Sequence, residues 1–299
     1  MRVNPNYSAD MVNLMDQAQQ NESNAIQQLS TGRRANLPSD DPAAEAAMVN
    51  ENSQAAAVDQ YTANSDSLTD VLNTANSTLD SAVTLLQRAV SLGVEGAGGT
   101  MNQSDLNSIA TEVSGIQSQM LSLANTSYAG QYLFAGTATG TAPYVADSSD
   151  PTQINYVGNS QQNQVQIGTG LSVASNLPGS SIFSQSGANV FTALQSLVTA
   201  LQSGDTSSIS AAETSVGNSL NAVDTAQVFY GNTVNELTTN ETYLAQEKVN
   251  ITTYQNTLVS ADTATAATNV TQAETALNAT VAAAAQINQQ ANLLDYIQQ

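Results

Sequence analysis

The chain has no cysteine, no histidine and no tryptophan, and only five of its 299 residues are lysine or arginine. Each absence closes a class of function. Without cysteine there is no disulfide and no thiol chemistry. With histidine missing too, the common zinc, haem and iron–sulfur ligand sets cannot be assembled. Ser–His and Cys–His nucleophiles are excluded on the same ground. Five bases against 25 acids give a net charge of -20. That leaves no electrostatic footing on nucleic acid or on an anionic membrane surface, so neither is expected as a partner. No run of eighteen apolar residues occurs, so no membrane-spanning helix is expected. The opening MRVNPNYSADMVN has no apolar core of the secretory kind. A soluble chain follows, cytoplasmic unless another export route applies.

What is present is helical periodicity. Leu68, Leu72, Ala75, Leu79, Ala82, Leu86 and Ala89 recur at alternating steps of four and three, which is a heptad seam. The glycines at 93, 96, 98 and 99 read as the break after it. A second seam follows: Leu106, Ile109, Val113, Ile116, Met120 and Leu123. A short glycine-rich turn between two such helices predicts antiparallel packing. From Gly130 the texture changes to short β-prone runs, YLFAG, APYVA, TQINYVG, QNQVQIG and GLSVA, separated by turn residues. A small β-rich domain is predicted over 137–186.

Helix returns at Val190. The last third carries Val216, Leu220, Val223, Tyr230, Val234, Leu237, Leu244, Ile251 and Leu258 on one stripe. Gln227, Glu241, Lys248 and Gln255 interrupt it with polar groups that could set register. No proline follows Pro178, so nothing breaks a helix of about 50 residues, about 75 Å long. The fold class is therefore mainly α. A long antiparallel, coiled-coil-like rod is formed by N- and C-terminal segments, with a small β-rich middle domain. Residues 41–136 and 187–261 make the rod.

The two ends, 1–40 and 262–299, carry thinner stripes. The C-terminal one reads Val270, Ala273, Leu277, Thr280, Ala284, Ile287, Ala291 and Leu294. Such small seams bury little area per turn. The terminal helices are expected to pair with each other and with other copies, and to be largely unfolded in the monomer. Leu277, Ile287 and Leu294 are the expected subunit contacts there.

Between the first two helices lies TGRRANLPSDDPAAEAA. Gly32 reads as a helix stop, and Asp41-Pro42 as an N-cap with proline at the first helical position. Arg33 and Arg34 sit in the link beside Asp40 and Asp41. They are either members of weak surface pairs or, on the sharper reading, bridges to carboxylates of a neighbouring subunit that set its register. These four residues complete the candidate interface. No catalytic, cofactor or metal residue is proposed. Asp40 and Asp41 are adjacent and cannot face each other across a substrate, as glycosidase carboxylates must. The glycines at 93–99 lack the lysine of a phosphate loop.

The segment LSTGRRANLPSDDPAAEAA resembles the link between the N-terminal helices of the flagellin superfamily. Four further stretches carry the same resemblance in the same order: LLQRAVSLGVEGAGGTMNQSDLNSIATEV, LANTSYAGQYLFAGTATGTAPY, YVGNSQQNQVQIGTGLSVASNLPGSSIF and the ending with LLDYI. DDPAA in place of DDAAG, with YLFAG and LLDYI, is closer to the superfamily's hook–filament junction members than to filament flagellin, which is kept as the alternative.

The resemblance implies a non-enzymatic structural role and self-assembly into a ring between hook and filament. It implies the first hook-associated protein and flagellin as neighbours. It also implies unfolded export by the flagellar type III apparatus with a chaperone on the C-terminal helix, and an extracellular place on the flagellum. The terminal helices would form the inner layer, the rod the next, and the β region would point outward.

Overall fold

The computed structural model describes residues 7–289. Its elements are α1 (Tyr7–Thr31), α2 (Pro42–Ala97) and α3 (Gln103–Ala124), then β1 (Ser127–Tyr128), β2 (Gln131–Tyr132), β3 (Tyr144–Ala146), β4 (Ile154–Tyr156), β5 (Gln164–Gly168) and β6 (Leu171–Ala174). There follow α4 (Gly179–Ile182), β7 (Ser184–Gln185), β8 (Ala188–Asn189), α5 (Val190–Ser203), α6 (Thr206–Val259) and α7 (Thr263–Gln289). The mainly helical class is as expected. The two longest helices, α2 of 56 residues and α6 of 54, come from the first and last thirds of the sequence. The chain divides into two compact units, residues 57–246 and residues 1–56 with 247–299.

The larger unit holds the main hydrophobic core. All seven expected seam residues of α2, Leu68 to Ala89, are buried. So are Leu106, Ile109, Val113, Ile116 and Met120 of α3, while Leu123 is half-buried and Ala124 takes the last core position. Asn102 caps α3 by accepting the Asp105 N–H at 3.0 Å. The Arg88 Nε donates to Glu112 Oε1 at 2.7 Å, tying α2 to α3. Asn64 of α2 and Asn240 of α6 donate to the Gln166 and Ile167 carbonyls of β5 at 2.8 Å each. At its other end α2 packs Gly93 against the Glu213 stem of α6. Early α2 thus meets late α6 and late α2 meets early α6, an antiparallel pair.

Two expectations are corrected. The glycine cluster does not end α2 at Gly93; the helix runs through to Ala97. Gly93 and Gly96 face Glu213 and Leu201 so closely that a Cβ would collide, and Gly98 with Gly99, at φ +69°, makes the turn. On α6 the strict heptad Val216, Val223, Tyr230, Leu237, Leu244 and Ile251 is buried. The intervening seam is Ser219, Ala226 and Thr233; Leu220 and Val234 are only half-buried. The hydroxyls survive burial because each donates one turn back, Ser219 to the Ser215 carbonyl at 3.0 Å and Thr233 to that of Phe229 at 2.9 Å.

The β-prone runs form four separate antiparallel hairpins, β1–β2, β3–β4, β5–β6 and β7–β8, and not one sheet. Side chains of the same core hold them. Tyr144 lies 5.1 Å from Tyr156, 5.9 Å from Phe183 and 5.1 Å from Phe191 between ring centroids, and Phe134 stacks edge-on to Phe183 at 5.3 Å. Such arrangements add to plain area burial. The Tyr230 hydroxyl accepts the Leu177 N–H at 3.0 Å. Burial pushes the Tyr144 and Tyr230 phenols well above their ordinary pKa.

Candidate functional site

The site with charge chemistry is the link of the smaller unit. Helix α1 stops at Thr31 because Gly32 takes φ +66° and donates its N–H to the Gln28 carbonyl at 2.9 Å. The chain then runs extended beside the connector between α6 and α7. Arg34 N–H donates to the Val259 carbonyl at 2.7 Å, and Ala261 N–H to that of Gly32 at 2.8 Å. Arg33 and Ser260 form an antiparallel bridge. Two segments more than 200 residues apart in sequence are thus paired backbone to backbone, a pairing that no local pattern announces.

Arg34 locks the junction. Its Nη2 donates to Asp41 Oδ2 at 2.8 Å and to the Leu258 carbonyl at 3.2 Å. One guanidinium therefore engages the N-cap of α2 and a carbonyl at the end of α6. Asp41 Oδ1 accepts the Ala44 N–H at 3.0 Å, the N-cap expected from Asp-Pro. That backbone donor first, and the Arg34 guanidinium second, hold the Asp41 carboxyl below its usual pKa. Asp40 does a different job: its Oδ2 accepts the N–H groups of Asn36 and Leu37 at 3.0 and 2.9 Å, closing the turn around Pro38. Asp262 caps α7 by accepting from Ala264 and Thr265, at 3.0 and 3.1 Å, and its pKa is lowered by the same contacts.

The four linked residues thus separate into two groups. Arg34, Asp40 and Asp41 are engaged within the chain. Arg33 points its charge outward: among the described residues no carboxylate pairs with it, and Leu37 on the same loop is 58% exposed.

The terminal helices α1 and α7 lie against each other within the single chain. Leu14, Ala18 and Ala25 of α1 and Ala273 and Ala276 of α7 line a shallow groove between them. The seam is thin: among the described residues of these two helices only Ala25 and Ala266 are buried, while Val12, Leu14, Ile26, Leu29 and Val281 stay exposed. Leu277 is half-buried; the Ile287 side chain and all of Leu294 lie outside the described residues. Among the described residues no cluster of acids could hold a metal ion, and no helix is long and apolar enough to cross a membrane.

The bacterial flagellin N-terminal helical region matches residues 3–139, and the C-terminal helical region matches residues 214–297. Flagellar hook-associated protein 3 of Escherichia coli is 32% identical over 190 residues, 59% of this chain and 58% of that protein. The chain therefore spans a little over half the length of that relative. A putative flagellar hook-associated protein from Vibrio parahaemolyticus has a similar fold. Its TM-score is 0.68 at 23% identity, over 74% of this chain and 99% of that one. The flagellar junction protein FlgL from Legionella pneumophila aligns with a TM-score of 0.53 at 15% identity, over 73% and 99% of the two chains.

Proposed function

The chain belongs to the flagellin superfamily, and from that premise we propose that it is a structural adapter of the bacterial flagellum. It joins the hook, through the first hook-associated protein, to the flagellin filament. The observation that carries this reading is the match to a hook-associated protein 3, supported by a fold shared with the flagellar junction protein of Legionella pneumophila. Copies assemble into a ring whose inner layer is the α1/α7 pair. The rod helices form the next layer and the hairpin region lies outermost. No catalytic role is assigned.

Export runs through the flagellar type III apparatus with the chain unfolded and a chaperone on the C-terminal helix. The final location is extracellular, at the junction. Two features suit this route. There is no cysteine to cross-link in transit, and the terminal helices bury so little that they gain most of their stability from partners.

At the link, Arg33 reaches a carboxylate of the neighbouring copy, and Arg34 stays inside its own chain to hold the loop that presents it. Immunogold electron microscopy of intact flagella, with an antibody against residues 137–186, tests the reading. A single band where hook meets filament is expected. Label along the whole filament would make the chain a filament flagellin, and bare flagella would remove it from the structure altogether.

A further inference from the structure

Residues 151–204 contain no Asp, Glu, Lys or Arg, in a chain that carries 25 acids elsewhere. The fold wraps this run against the first half of α6. There, α6 residues at three- and four-residue spacing line two successive cavities, first Ser208, Ala211 and Ser215, then Asn218, Ala222 and Thr225. The first cavity, about 900 Å³, is completed by α5 and the β4 edge, with Ser196 and Thr199 on its wall. The second, about 450 Å³, is completed by α4 and the β7–β8 hairpin, with Ser181 and Gln185 on its wall. The two follow one another along one face of α6 from Ser208 to Phe229, an interrupted furrow of about 30 Å at 1.5 Å per residue.

No residue lining either cavity is ionisable. Glu213, the one acid between 206 and 223, is turned away and packs its stem on Gly93 of α2. Helix α5 borders the furrow and is unusual for a surface helix. It buries eight apolar residues, yet its exposed side shows only Thr, Ser and Gln where charged residues are the rule.

The charge of the chain says what can sit there. Two copies at -20 repel. Contact through an acid-bearing face would bury carboxylates that five bases cannot neutralise. The furrow removes that obstacle. Its hydroxyls and amides need only hydrogen bonds across a contact, and its small side chains admit a close neighbour. A charged small ligand would find no counter-charge in it.

Resting on the ring reading above, we propose that this furrow is the face on which a second copy of the chain docks.

The test uses the full chain in its native flagellated host. A photo-crosslinking amino acid replaces Thr199 or Asn218 in the furrow, with Arg33 as a separate probe, and cross-linked peptides are identified by mass spectrometry. Cross-links from Thr199 and Asn218 to this same chain are expected. The triple variant Thr199→Glu, Ala211→Glu, Asn218→Glu is expected to reduce copy-to-copy cross-links about tenfold or more. Matching glutamates at Ser104, Thr111 and Ser118 on exposed α3 should leave them unchanged, and all variants should keep their helix content by circular dichroism. Undiminished cross-linking in the furrow variant overturns the proposal, as do cross-links from the furrow to a different protein. Copy-to-copy links from Arg33 without any from the furrow overturn it while leaving the ring in place. None at any probe removes the ring reading with it.

Discussion

At the scale of the residue, a pair of neighbours in sequence has two different tasks. Arg34 and Arg33 are chemically alike, but among the described residues only the Arg34 guanidinium finds acceptors at home, on Asp41 and on the Leu258 carbonyl. Arg34→Ala should loosen the link in the isolated chain and lower its melting temperature. Arg33→Ala should leave the isolated chain unchanged and weaken assembly, read as motility and as shed protein in the medium. Equal effects of both on the monomer would discard the division of labour.

Asp41 carries its own pH signature. Its folded pKa is lowered, so its contribution is fully present above the ordinary carboxylate value, near pH 4, and is lost as pH falls from there through the lowered folded value. Asp41→Asn keeps the capping oxygen and removes the charge. The gap in melting temperature between that variant and the parent should be open at pH 7 and close in strong acid.

A buried phenol gives the larger number. Tyr230→Phe leaves the Leu177 N–H without its acceptor and should destabilise the chain by about 1–3 kcal/mol, measurable by urea unfolding. The acid pair and its Asp-Pro cap were legible in the sequence because an N-cap is a local device. The Leu258 carbonyl, 224 residues away from Arg34, was not, because no local rule constrains a contact of that separation.

At the scale of the element, the long helices show which signals survive translation into structure. The seam of α2 reads directly because Leu and Ala alternate there without competition. That of α6 reads one position off in alternate turns, because the buried places are held by Ser219, Ala226 and Thr233 while larger Leu220 and Val234 sit beside them. Periodicity arguments weight side-chain size; packing at close approach weights smallness. The glycines of α2 were misread for the same reason.

A paired experiment separates the two roles of a helical glycine. At Gly96 a Cβ would drive into the buried Leu201 side chain, so Gly96→Ala should lose about 1–3 kcal/mol through overpacking despite its better helix propensity. At Gly115 in α3 there is open space, so Gly115→Ala should gain about 0.5–1 kcal/mol. Thermal unfolding of both variants decides it: a gain at both positions would mean that the close approach of α2 to α5 is not as tight as the geometry requires.

At the scale of the whole molecule, apolar burial is divided unequally between the two units. The contiguous core from Leu68 to Leu237 lies entirely within 57–246. Among their described residues the terminal helices have two buried alanines between them and at least five exposed apolar side chains. Thinly packed helices sit near the bottom of the stability scale.

Unfolding should therefore not be a single all-or-none event. In dilute monomer, amides of 7–31 and 263–289 should exchange with little protection, while those of the α2, α3 and α6 seams exchange only on opening of the main core. Limited proteolysis should trim both ends and leave a resistant fragment close to 57–246. On assembly the same terminal amides should become protected, because partners then cover Val12, Ile26 and Leu29. Strong protection of both ends in the monomer would mean that α1 and α7 stabilise each other without help. Ordering on assembly would then no longer explain why these ends carry seams of alanine and threonine.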